Sequence, residues 1–148
     1  MMRGLVLGAV LAAVTAQQAQ AQIRPDQAAF RALYKELVET NTTLSSGSCT
    51  LAAERLAARM KAAGYAEKDL TVFSTPEKPK EGGLVAILPG TSKKAKPILL
   101  LGHLDVVEAN RADWERDPFK LIEEDGYFYA RGSADDKAQA AVWTDSLI

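Results

Sequence analysis

Ile98-Leu99-Leu100-Leu101 is the stretch that most restricts what this chain can fold into. Four consecutive apolar residues offer no polar face, so a strand built from them belongs in a sheet covered on both sides. Covering such a sheet takes helices, and the sequence has the periodicity for them. Ala29, Phe30, Leu33, Leu37 and Val38 fall at helical spacing and predict a helix over 27–40. The polar run 45–50 is a break, after which residues 51–63 return to helical periodicity, with Gly64 placed to end them. Short strands are expected at 70–73 and 84–88, the second closed by Pro89-Gly90. Between them, residues 75–83 carry two prolines and four charges and read as an exposed connection. Asp125-Gly126, flanked by 119–122 and 127–130, is a strong hairpin signal. Residues from 134 onward read as a helix. Helices before and after an apolar sheet give an α/β fold.

Composition removes several function classes. The net charge of −1, with no basic stripe, argues against a nucleic-acid partner. No glycine-rich dinucleotide or phosphate loop is present, and Gly90-Thr91-Ser92-Lys93-Lys94 reads as a solvated turn. The N-terminus reads as a signal peptide over 1–21: Arg3 is followed by a charge-free apolar stretch from Leu5 to Val14, then by Ala19-Gln20-Ala21, an A-x-A cleavage pattern. That stretch is short of the roughly 20 residues that span a bilayer. The mature chain is then expected to begin near Gln22, to be periplasmic or secreted, and to have no membrane partner after cleavage. Cys49 is the single cysteine, so no internal disulfide forms, and with one histidine in the chain nothing marks it as an activated nucleophile.

That one histidine, His103, lies just past the 98–101 run, with Asp105 two residues on. In open α/β sheets, functional groups collect beyond the carboxyl ends of strands. An imidazole that binds a metal through one nitrogen needs an acceptor for its other N–H, and a nearby carboxylate can supply it. A histidine held by its neighbour without any metal fits the same pattern. After the hairpin comes Arg131-Gly132-Ser133-Ala134-Asp135-Asp136-Lys137. Gly132 permits a tight turn. The adjacent acids suit either a site or the N-terminus of a helix, where the macrodipole favours negative charge.

Gly102-His103-Leu104-Asp105-Val106-Val107, then Trp114 and Asp117-Pro118-Phe119, then the Arg131–Lys137 stretch resemble the M20 metallopeptidases in order and spacing. That family includes carboxypeptidase G2-like, carnosinase-like and aminoacylase-like enzymes and succinyl-diaminopimelate desuccinylase. The match runs over 98–143, and residues 27–64 fit the family's N-terminal part. The resemblance implies a three-layer α/β/α catalytic domain with a mixed, largely parallel sheet. Residues 22–148 would form its N-terminal part, incomplete at the C-terminus, with the lid or dimerisation domain absent and a homodimer possible through it. It implies that His103 is a metal ligand, that Asp105 supports it as a catalytic residue, and that Asp135 bridges two Zn2+ ions through a carboxylate followed by a cis peptide to Asp136. Trp114 and Asp117-Pro118-Phe119 would shape the loop beneath the site. The substrate class it implies is a peptide or N-acyl amino acid, cleaved at an amide bond by metal-activated water.

The chain departs from that pattern after Lys137, where no glutamate and no second histidine follow. The family's general base and further ligands belong there. Glu123-Glu124 precedes the second motif at a turn and reads as solvated charge. Two classes of function therefore stand at this point: a zinc hydrolase represented by a fragment that is inactive alone, and a non-catalytic truncated paralogue or weak metal binder.

Overall fold

The computed structural model describes residues 23–148. The expected signal peptide lies outside the described residues. Helix α1 spans Pro25–Glu39 and starts where the sequence favours it. Pro25 occupies the first turn, where its missing N–H costs no helical bond, and the Gln27 side chain accepts from the Arg24 N–H at 3.1 Å. Helix α2, Cys49–Ala62, begins two residues before its periodicity because the Ser48 hydroxyl accepts from the Leu51 N–H at 3.1 Å. Gly64 ends it in the left-handed region, at φ +104°.

The helices pack their apolar stripes together. Leu33, Tyr34, Leu37 and Val38 of α1 meet Ala52 and Leu56 of α2 and Ala140 and Ala141 of the last helix, α3, Lys137–Leu147. No helix among the described residues is long and apolar enough to cross a membrane.

The strands form two antiparallel ribbons. β1, Leu70–Thr75, pairs with β2, Lys78–Ala86, with Leu70 opposite Ala86 and Thr75 opposite Lys78. The expected exposed connection over 75–83 is thus largely strand. Its polar side chains stay in water while the backbone makes the ladder, which a composition-based reading cannot see. β3, Ile122–Glu124, pairs with β4, Tyr127–Tyr129, around Asp125-Gly126, whose φ values of +52° and +80° suit the tight hairpin that Asp-Gly favours.

Residues 98–101 depart from expectation. They join no ladder among the described residues, and Ile98, Leu99 and Leu101 are 88%, 82% and 78% exposed. An apolar strand buries both faces only when neighbours flank it, and both ladders among the described residues are antiparallel ribbons lying elsewhere. Between 98–106 and β2 lies an open groove lined by Leu56, Met60, Leu84, Leu101, Trp143 and Leu147.

Among the described residues, one charged side chain sits in this core. Lys137 is fully buried, and its ammonium donates to the Thr40 carbonyl, just past the end of α1, at 2.7 Å. Burial pushes its pKa down to about 8. Truncation leaves a buried acceptor without a partner, at a cost of about 1–3 kcal/mol. Lys137→Ala is accordingly expected to lower the stability of the chain by at least that much in urea unfolding; an unchanged midpoint would show that this bond holds nothing together.

Candidate metal centre

The two motifs are carried on loops, each tied to the helices. The Thr42 hydroxyl donates to the Leu104 carbonyl at 2.6 Å, and the Val106 N–H donates to the Thr42 carbonyl at 3.3 Å, so the first motif lies along the segment that leaves α1. The second motif is fixed by the Tyr34 hydroxyl, which donates to the Ser133 carbonyl at 2.6 Å. Gly132 brings the loops together: its φ is +78°, and a Cβ there would stand 2.6 Å from Val106 Cγ1. The Trp114 and Asp117-Pro118-Phe119 segment backs this turn. The Arg131 N–H donates to the Pro118 carbonyl at 2.7 Å, and the Arg131 guanidinium lies 5.0 Å from the Trp114 ring centroid.

His103 and Asp135 meet there. The imidazole Nε2 is 2.9 Å from Asp135 Oδ1. Nδ1 is 3.2 Å from the Asp105 carboxylate and 3.2 Å from its carbonyl oxygen. Asp105 and Asp135 thus lie against the two ring nitrogens of His103. They converge on loops beside the start of α3, not at the edge of a formed sheet. The peptide joining Asp135 to Asp136 is cis, as the resemblance implies. Glu123 and Glu124 lie elsewhere, paired on the surface with Arg31 and Arg116. Cys49 stays outside the chemistry, its thiol pKa pushed up chiefly by burial.

Two residues escaped the sequence reading. Asp136 occupies the N-cap position of α3, but its side chain makes no capping bond. Its Oδ2 instead accepts from the His103 backbone N–H at 3.2 Å. Adjacent acids at a helix start suit capping equally well, so nothing in their spacing marked this bond. Lys137, in turn, reads from sequence as an ordinary charged residue of a first helical turn.

The site is open: the side chains of His103, Asp105 and Asp135 are 51%, 71% and 90% exposed. Partial burial pulls the imidazole pKa down, but the bond to Asp135 and then the Asp105 carbonyl and carboxylate outweigh it, leaving the value above its usual 6.5. One imidazole nitrogen beside one carboxylate oxygen is a donor pair suited to a borderline divalent cation. It does not complete a coordination shell: among the described residues no group of three or more His, Cys, Asp or Glu side chains is placed to hold a metal.

Comparison with known proteins agrees with this geometry. Residues 99–148 match the family model for peptidase family M20/M25/M40. That match takes in both motifs and supports an M20 metallopeptidase. It is 43% identical over 74 residues to an acetylornithine deacetylase from Dictyostelium discoideum, covering 47% of this chain and 17% of that protein. It is 39% identical over 67 residues to a human N-fatty-acyl-amino acid synthase/hydrolase, covering 45% of this chain and 13% of that protein. The crystal structure of human carnosine dipeptidase 1 superposes with a TM-score of 0.54 at 25% identity, over 82% of this chain and 28% of that one. The chain thus spans under a third of each of these M20-related proteins.

The raised imidazole pKa fixes a pH dependence in the metal-free chain. Protonation favours the folded state, so this contribution is complete below about 6.5 and is lost as pH rises through the folded-state value. With one histidine, a proton NMR titration reads the site directly. The expected midpoint lies above 6.5 and falls in Asp135→Asn; a wild-type midpoint at or below 6.5 would contradict the two-carboxylate environment.

Proposed function

We propose that the whole protein hydrolyses the amide bond of a peptide or N-acyl amino acid with a pair of zinc ions, and that this chain supplies His103 and Asp135 as ligands. The observation that carries this reading is the 2.9 Å approach of His103 Nε2 to Asp135 Oδ1 while Asp105 occupies Nδ1. The names of the relatives support the substrate class: a deacetylase of an N-acetyl amino acid, a hydrolase of N-fatty-acyl amino acids and a dipeptidase.

Bound zinc would lower the pKa of a shared water and polarise the scissile carbonyl. The residues of this chain prepare that chemistry. Asp105 accepts from Nδ1–H, which selects the tautomer with a free Nε2 lone pair and raises its basicity. Asp135, whose Oδ1 lies 2.9 Å from Nε2 in the metal-free chain, would supply its carboxylate as the ligand shared by the two ions when they bind. The water's proton has to pass to a base, which the M20 pattern provides as a glutamate beyond Asp-Asp-Lys; residues 138–148 contain none. We also propose that the catalytic domain as a whole is the three-layer α/β/α fold, its sheet running beside residues 98–101. The exposed apolar run and the groove between it and β2 support that reading. The apolar stretch from Leu5 to Val14 and the A-x-A pattern at 19–21 support export to the periplasm or medium.

Zinc-dependent hydrolysis of dipeptides and N-acyl amino acids by the whole protein, lost at least about a hundredfold in His103→Ala, is the expected result. The 148-residue chain alone should bind zinc and show no turnover. Hydrolysis by the pure chain that disappears in His103→Ala would overturn the division of labour. Export has its own test: intact mass of the exported species should give a start near Gln22, and retention of Met1 would contradict cleavage.

A further inference from the structure

His103 stands on a segment that has almost no backbone support. Residues 98–105 make no backbone–backbone hydrogen bond among the described residues, and the nearest, from Val106 N–H to Thr42 carbonyl, lies three residues past the ring. The contacts on this segment are with side chains: the Trp143 indole N–H donates to the Leu101 carbonyl at 3.2 Å, and the Thr42 hydroxyl donates to the Leu104 carbonyl at 2.6 Å. Neither controls the position of His103 relative to Asp135 directly, because neither comes from the loop that carries Asp135.

Asp136 does. Its Oδ2 accepts from the His103 N–H at 3.2 Å, while the neighbouring Asp135 carboxylate reaches the ring of the same residue at 2.9 Å. Two consecutive acids thus hold one histidine at two points, main chain and imidazole. Gly102 makes room for the arrangement: a Cβ at that position would stand 3.3 Å from Asp136 Oδ2 and 3.6 Å from Ala140 Cα and Cβ. A side chain at 102 would press on the carboxylate that grips the next residue.

We propose that Asp136 is a positioning residue for the metal centre: through the His103 backbone it locks the first motif to the start of α3, so that His103 Nε2 and Asp135 Oδ1 stay within ligand distance. This rests on the reading of His103 and Asp135 as ligands. Ligand placement held by an outer carboxylate is typically worth 10–100-fold in metal affinity. The Asp136 oxygen is used as an acceptor, so an amide oxygen can replace it.

The test compares Asp136→Ala with Asp136→Asn in the 148-residue chain, using zinc in competition with a chelator below the unfolding midpoint. Asp136→Ala should weaken zinc roughly 10–100-fold, and Asp136→Asn should restore it to within about threefold of wild type. Wild-type affinity in Asp136→Ala, or equal loss in both variants, would overturn the proposal. Amide hydrogen exchange at His103 in the metal-free chain gives a second readout. That amide should be protected in wild type and in Asp136→Asn and exchange at least about tenfold faster in Asp136→Ala. Free exchange in wild type would overturn the contact even if the alanine variant fails to fold. If wild type binds no zinc through His103, the ligand reading fails, and protection of the His103 amide still decides whether Asp136 holds the segment.

Discussion

The bond from the buried Lys137 ammonium to the Thr40 carbonyl is the junction on which the site depends. It closes the segment leaving α1 against the first residue of α3 at 2.7 Å. From Thr40 the chain runs on to Thr42, which holds Leu104 and Val106; from Lys137 it runs back to Asp136 and Asp135. Both motifs are therefore attached, within a few residues, to the two ends of one hydrogen bond. Burying an ammonium is expensive unless it is paired with an acceptor of good geometry. That cost is offset here by a carbonyl that a helix end would otherwise leave without an intrahelical partner.

Around that junction, electrostatics favours the arrangement seen. Three carboxylates, Asp105, Asp135 and Asp136, surround one histidine, two at its ring and one at its main-chain N–H. Without a metal, Asp135 and Asp105 at the ring hold the imidazole pKa above its usual value against partial burial. A cation bound by Nε2 would meet the same acidic surroundings, which is why a site built this way suits positive charge in either form. The exposure of Asp135, at 90%, leaves its carboxylate free to turn toward further ligands.

Much of this was legible in the sequence. Helices α1 and α2 and the Asp-Gly hairpin follow from apolar spacing, a serine cap, a terminating glycine and a turn pair that, like Asn-Gly, favours positive φ at both positions. The His-x-Asp spacing suggested Asp105 as a partner of His103, and the family resemblance implied that Asp135 shares its site. The ladder of β2 was not legible, because its first half is polar, exposed and held only through the backbone. The exposure of 98–101 was not legible either: apolarity states what a strand needs around it, not which neighbours flank it. Asp136 and Lys137 were hidden for a third reason. Their roles rest on contacts 33 and 97 residues away in the chain, which no local pattern encodes.

We propose that His103 and Asp135 bind one metal ion together. Anomalous scattering at the zinc absorption edge, from crystals of the chain grown with zinc, tests it directly. A peak is expected within about 2.0–2.2 Å of both His103 Nε2 and an Asp135 carboxylate oxygen, with Asp105 still at Nδ1. Zinc bound elsewhere, with the His103–Asp135 hydrogen bond intact and no density between them, would contradict it.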